Sequence, residues 1–315
     1  MKAQALWCVG KNAAQIRPAN LGEGVLVRTL FSGISRGTER VVFEGRVPEA
    51  QYGEMRAAGQ EGEFSFPVKY GYCAVGEISE GERKGRLVFA LHPHQDFFRL
   101  PIESLHLLPI GVPPERAILA ANMETALNIL WDSNLRAGDR VAVIGAGVIG
   151  ALTGYLASQL PGTEVTLIDV NPSRSTLAKQ LGLEFAAPDA APRDCDVVIH
   201  TSASSEGLTL AIGLAGQEAT IVEASWYGVD QVTIPLGGDF HTKRLRIQGS
   251  QVGNLPASHT KRWSHKRRMN KALELLADQR LDALLSGETS FMELPASYPE
   301  ILSDPQTLCH RVSYQ

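Results

Sequence analysis

Cysteine is scarce in this chain: Cys8, Cys73, Cys195 and Cys309 are the four present in 315 residues. No CxxC occurs, which excludes a cysteine zinc ribbon and a thioredoxin-like motif. Cysteine this sparse in a chain this long also excludes a disulfide scaffold. An excess of one charge is lacking as well: 30 Lys and Arg stand against 34 Asp and Glu, a net charge of -4. That balance indicates neither a nucleic-acid-binding nor a basic membrane-surface protein. The one basic cluster, KRWSHKRR at 261–268, opens a helical pattern and reads as a solvated face. Long hydrophobic runs are missing. The most apolar stretch, VAVIGAGVIGALTGYLA at 141–157, is too short and glycine-rich for a membrane span and reads as a buried strand, a turn and a helix. MKAQALWCVGKN lacks the apolar core of a signal peptide. No internal repeat or low-complexity tract is present. The expectation is a reduced, cytoplasmic protein.

What is present is ordinary globular composition, 44% hydrophobic and 20% charged, at about twice the usual domain length. Two textures divide it. Up to about residue 110, short runs such as GEGVLVRTLFSG, VKYGYCAVGEI and GRLVFALHP are broken by glycine and proline and read as β-strands. From Arg140, strand and helix alternate: RVAVI, then 146–160, EVTLID, PSRSTLAKQL, and the further apolar runs LEFAA, DVVIHTS, ATIVEASW and RLRIQGSQ. Such alternation implies an α/β fold with a parallel sheet covered by helices on both faces. The tail from Trp263 has one amphipathic helix and then returns to β texture, ending in CHRVSYQ. The predicted organisation is a β-rich domain of residues 1–112 plus 260–315, with a nucleotide domain, 113–259, inserted into it.

Gly145, Gly147 and Gly150 form GxGxxG directly between the RVAVI strand and a helix, and Asp169 closes the next strand nineteen positions after Gly150. In that context the motif is the dinucleotide fingerprint. Gly145 permits the tight turn, Gly147 lets the pyrophosphate approach, and Gly150 lets helix and strand pack closely. The helix start, with Val148 and Ile149, offers unpaired N–H groups to the phosphates. Thr201, ending DVVIHTS, joins these cofactor-contact candidates. A carboxylate at Asp169 suits the ribose hydroxyls of NAD(H) and repels the 2′-phosphate of NADP(H). Arg174 leaves alternatives open: it can meet a 2′-phosphate, cover adenine, or pair with Asp169.

LVRTLFSGIS at 26–35, PVKYGYCAVGEI at 67–78, LPIGVPPERAILAANMETALNIL and AGDRVAVIGAGVIG, in this order, resemble the medium-chain dehydrogenase/reductase superfamily over essentially the whole chain. SGISRGTE followed by a GY element is similar to its bacteriochlorophyllide dehydrogenase branch. The resemblance implies a GroES-like β domain with an inserted Rossmann sheet, hydride transfer at a nicotinamide in the cleft between the two, and a small-molecule substrate. It also exposes departures. Zinc-dependent members carry cysteine where this chain has Ser35 and GHE where it has Gly71-Tyr72-Cys73; only Glu124 keeps a residue type that can serve as a ligand. The four-cysteine structural lobe is missing. No zinc is therefore expected, since a catalytic zinc needs about three protein ligands. Carbonyl polarisation would fall to Tyr72, Ser35 or His92, with Glu124 also a catalytic candidate and Thr38 and Glu39 nearby in sequence. His92 and His94 have three readings: loop residues with backbone partners, a proton relay, or an atypical metal site with Glu124. Trp226 and Tyr227 either wall the substrate pocket or simply pack. Arg311 resembles an arginine that reaches the cofactor pyrophosphate and is otherwise a surface residue. The expected function is a zinc-independent NAD(H) oxidoreductase acting on an alcohol/ketone or conjugated carbonyl. The rival is a non-catalytic NAD(H)-binding sensor or assembly protein. RLRIQGSQ, an apolar edge strand, predicts a homodimer.

Overall fold

The computed structural model describes residues 2–314. The chain divides into two units, residues 1–121 with 269–315 and residues 122–268. Both crossings fall inside helices rather than in the loops where the sequence pattern changes.

The first unit opens with β1 (Ala3–Gly10), β2 (Ala13–Ala19), β3 (Val25–Ser35), α1 (Arg36–Phe43), β4 (Glu61–Gly62), β5 (Val68–Lys69), β6 (Ala74–Ile78), β7 (Leu87–Ala90), β8 (Phe97–Leu100), β9 (His106–Leu107) and α2 (Pro114–Ala117). Helix α3 (Ala120–Ser133) then leads into the second unit. Proline at the start of α2 suits a first helical turn, where its missing N–H is not needed. Two sheets result, in the order β2-β1-β5-β4 and, with two strands from the tail, β16 (Leu285–Ser290) and β17 (Cys309–Ser313), in the order β16-β17-β3-β6-β7-β9. Strand β3 is the longest and sits centrally, pairing with β6 and β8 as well as with the tail. Val27, Ala74, Ile78, Val88, Ala90 and Phe98 form the core against it.

The second unit holds β10 (Arg140–Ile144), α4 (Val148–Ser158), β11 (Glu164–Ile168), α5 (Arg174–Leu181), β12 (Glu184–Ala186), β13 (Cys195–His200), α6 (Ser205–Leu214), β14 (Ala215–Glu223) and β15 (Arg246–Gly249). These six strands run parallel in the order β12-β11-β10-β13-β14-β15. The order reverses on either side of β10, which creates a crevice at the carboxyl ends of β10 and β13. Val141 to Ile144 of β10 are buried, as a strand covered by helices on both faces requires. Strand β15 lies at the edge, as its sequence predicts, and its four residues are all exposed.

The tail continues with α7 (His265–Leu275), β16 (Leu285–Ser290), α8 (Leu294–Ser303) and β17 (Cys309–Ser313). Met269, Leu273 and Leu276, on the predicted apolar stripe of α7, are buried. Among the described residues, no helix is long and apolar enough to cross a membrane.

Candidate functional site

The glycine loop forms a sharp turn from β10 into α4. Gly145 has φ +103°, in the region that favours glycine, and a Cβ there would lie 2.9 Å from the backbone nitrogen of Ser202. A Cβ on Gly150 would run into the carbonyl oxygen of Gly145. Both glycines are therefore explained by the protein's own packing. Gly147 is not. Its φ is −77°, open to any residue, and a Cβ there would meet nothing within 4 Å. Gly147 is the N-cap of α4 and, having no side chain, gives the helix start no side-chain acceptor. The first-turn N–H groups beside half-buried Val148 and Ile149 thus face open space that a side chain at position 147 would occupy. That arrangement fits the pyrophosphate of a dinucleotide.

Two neighbours brace the turn. Thr201 donates its hydroxyl to the carbonyls of Ile144 (3.1 Å) and Gly145 (3.0 Å), so its hydrogen is directed into the loop. Asp169, just beyond β11, accepts the N–H of Ala146 on Oδ2 (2.7 Å) and that of Asn171 on Oδ1 (2.8 Å). Each oxygen keeps a lone pair for a ribose hydroxyl. Exposed Val170 follows it. Arg174 starts α5 and is only 7% exposed, so protein already covers most of the surface that would meet a 2′-phosphate.

In the β-rich unit the polar candidates are committed to one another. Ser35 and Thr38 both hydrogen-bond the Tyr72 side chain, and burial pushes the Tyr72 phenol well above its ordinary value. His92 is buried, stacks on Phe98 with ring centroids 4.1 Å apart, and donates from Nδ1 to the Pro93 carbonyl. Burial first, and then the charge of Lys69, holds its pKa down to about 3. His94 contacts Ser32 Oγ through Nδ1 (2.7 Å) and Glu39 Oε2 through Nε2 (2.9 Å). Glu39 is buried and accepts from the Ser35 backbone N–H (2.7 Å) and the Tyr298 hydroxyl (2.6 Å) as well. Arg311 pairs with Glu288 on β16 and lies over the Phe31 ring, 5.3 Å from its centroid.

Several expectations change on this geometry. The sequence treats KRWSHKRR as a solvated face, but Arg268 within it is 1% exposed. Its Nε donates to Glu124 Oε1 (3.0 Å), and its other nitrogens reach Asn128 and the Val252 carbonyl. Glu124 is thereby the anchor of a buried arginine, not an open ligand. His92, His94 and Glu124, the residues of the atypical metal alternative, each bond another group of the protein. Among the described residues no group of three His, Cys, Asp or Glu is placed to hold a metal ion. The donor set at Ser35 and Tyr72, two hydroxyls bonded together, does not fit a catalytic zinc either.

One cluster was not anticipated. His200 ends β13 and Glu223 ends β14, directly opposite in the parallel register. His200 Nδ1 lies 2.7 Å from Glu223 Oε2, and His200 Nε2 lies 2.7 Å from Ser202 Oγ. Tyr227 donates to the same Glu223 oxygen (3.0 Å), which gives this half of the Trp226–Tyr227 pair a partner. The signal was available: two polar residues ending adjacent buried strands at the carboxyl edge of an α/β sheet.

No family model matches the chain. D-guloside 3-dehydrogenase of Escherichia coli is 26% identical over 312 residues, spanning 89% of this chain and 89% of that protein. L-idonate 5-dehydrogenase from Escherichia coli superposes with a TM-score of 0.80 at 16% identity, covering 100% of this chain and 99% of that one. An Escherichia coli alcohol dehydrogenase complexed with NADH has a TM-score of 0.79 at 15% identity, covering 99% of each chain. Together with the two-unit architecture, these likenesses lead to one conclusion: the fold is that of the medium-chain dehydrogenases, and the named relatives that the chain resembles are dehydrogenases.

Proposed function

We propose that the protein is a zinc-independent, NAD(H)-dependent oxidoreductase that moves a hydride to or from an alcohol/ketone pair. The observation that carries this reading is Gly147: a glycine with ordinary φ, nothing within 4 Å of its Cβ position, at the uncapped start of α4. The α4 N–H groups bind the pyrophosphate, and the free lone pairs of Asp169 accept the ribose hydroxyls. Its negative charge and the covered state of Arg174 both favour NAD(H) over NADP(H). Bound nicotinamide supplies the hydride acceptor or donor.

The β-rich unit supplies hydrogen bonds instead of a Lewis acid. Tyr72 stays neutral around pH 7 and acts as a hydrogen-bonding group, not as a base. D-guloside and L-idonate in the names of the similar proteins are both polyhydroxylated, which favours an alcohol over the conjugated carbonyl that the sequence also admits. The chain is also proposed to form a homodimer through the exposed edge strand β15. Light scattering that reports the 34.1 kDa monomer would contradict it.

The test combines binding and turnover. NADH and NADPH are titrated by tryptophan fluorescence. NAD⁺ reduction is followed with a panel of L-idonate, 2,3-butanediol and other secondary alcohols, with metal content measured in parallel. The expected result is tighter NADH binding, turnover of at least one alcohol and no stoichiometric zinc. NADH binding without any turnover would favour the non-catalytic sensor.

A further inference from the structure

Oxidation of an alcohol releases a proton as well as a hydride, and the β-rich unit offers little to take it. Tyr72 is a poor base because burial raises its phenol, and His92 is a buried, stacked imidazole that resists protonation. The carboxyl edge of the Rossmann sheet carries a better-suited group. We propose that Ser202 is the catalytic residue that takes the substrate hydroxyl proton and passes it to His200, with Glu223 positioning the imidazole.

The hydrogen-bond directions form a continuous line. Glu223 is partly buried, which pushes its carboxyl up, but hydrogen bonds from His200 and Ser225 outweigh this and hold it below its ordinary value. Its ionised Oε2 accepts from His200 Nδ1 (2.7 Å) and from Tyr227 (3.0 Å); Oε1 accepts the Ser225 N–H (2.8 Å). With its hydrogen on Nδ1, His200 presents Nε2 as an acceptor, and the Ser202 hydroxyl donates to it (2.7 Å). Glu223 on β14 and Tyr227 just after it are the titratable side chains bonded or stacked against His200. Helix α6 presents Gly207, where a Cβ would collide with both Ser202 Oγ and His200 Nε2. His200 is fully buried while Ser202 is exposed; its Oγ also lies 3.0 Å from Ser204 Oγ, and the line reaches solvent at this serine pair. That end borders the glycine loop, because the Ser202 backbone nitrogen is what a Cβ on Gly145 would strike.

In the oxidative direction the substrate C–H bond breaks and its electron pair goes to the nicotinamide. The O–H proton moves to Ser202 Oγ as the Ser202 proton moves to His200 Nε2, leaving a ketone and an imidazolium paired with Glu223. Reduction runs the same transfers backwards. A Ser–His–Glu line also suggests acyl transfer, but the adjacent Ala203 N–H, a natural oxyanion donor, is committed to Ser225 Oγ (3.1 Å).

The relay rests on the proposed function, and the experiment separates the two. Turnover of the alcohol panel and NADH affinity are measured for the wild type, Ser202→Ala, His200→Gln and the double variant. Ser202→Ala changes an exposed hydroxyl and retains the fold, which near-ultraviolet circular dichroism checks. The expected result is a fall in kcat of about 100-fold for each single variant, within the range of general acid–base effects. NADH affinity should change less than about threefold, and the double variant should be no slower than the worse single one, as for residues acting as a unit. Wild-type kcat in Ser202→Ala, or a kcat loss matched by an equal loss of NADH affinity, would overturn the relay alone. A wild type that binds NADH but turns over none of the panel would overturn the proposed function and the relay with it.

Discussion

The Glu39 network of the β-rich unit and the glycine loop of the Rossmann unit treat their polar groups in opposite ways. In the β-rich unit, Glu39 gathers His94, Tyr298 and the Ser35 N–H, while Ser35 and Thr38 bond Tyr72. The buried donors and acceptors of this network satisfy one another. In the Rossmann unit the start of α4 has no side-chain acceptor, and Gly147 leaves room in front of it. A saturated buried network stabilises a fold, whereas an unsatisfied helix start with space before it awaits a ligand. The difference supports the proposed cofactor site in the second unit, while the Glu39 contacts of the first hold its own side chains together.

That contrast can be broken in several places. The largest effect is expected for Glu39→Ala, which strands three buried donors; urea unfolding should show a loss of about 3–5 kcal/mol. A loss under 1 kcal/mol would mean that the β-rich network is not structural. Next comes Asp169→Ala, expected to weaken NADH by about 1–3 kcal/mol through lost charge-assisted hydrogen bonds, and to weaken NADPH less or improve it. Titration of both cofactors decides this, and equal losses would remove Asp169 as the discriminating residue. His92 should then set a pH dependence. Its folded value near 3 lies below the unfolded 6.5, so the unfolded chain binds more protons between these limits and stability falls as pH drops through that window. The slope contributed is at most about 1.4 kcal/mol per pH unit. His92→Asn should flatten this acid limb in unfolding experiments from pH 7 to pH 4, and an unchanged limb would count against it. The smallest effect is expected at Arg311: its pairing with Glu288 is partly exposed, so Arg311→Ala should change stability by about 0–1 kcal/mol and leave NADH affinity unchanged. A clear loss of affinity would restore the pyrophosphate role that the resemblance implies.

Much of the second unit was legible in the sequence. A buried strand, GxGxxG, a helix and an acid at the end of the next strand is a local pattern, and local patterns survive translation into three dimensions. The β texture of the first unit and the edge position of β15 were legible for the same reason. Partners distant in sequence were not. Arg268 reads as one of several exposed basic residues, and only the fold brings it to Glu124, 144 positions away. Glu39 and Tyr298 are separated by 259 positions. His200 and Glu223 are closer in sequence, but their pairing depends on β13 and β14 being neighbours in a parallel register, which alternation alone does not specify. Tyr72 and His92 were singled out by residue type; what limits them as proton carriers is burial, a property of packing.

The most direct test is binding of NADH by a Gly147→Val variant. The backbone at Gly147 accepts any residue and the added atoms meet no protein at the Cβ position. The melting temperature should therefore stay within about 1 °C of the wild type, a change of under about 1 kcal/mol for a chain of this size. NADH affinity should fall by at least about tenfold, or 1.4 kcal/mol, as the new side chain occupies the space in front of α4. Unchanged NADH affinity in this folded variant would show that the cradle does not hold the dinucleotide.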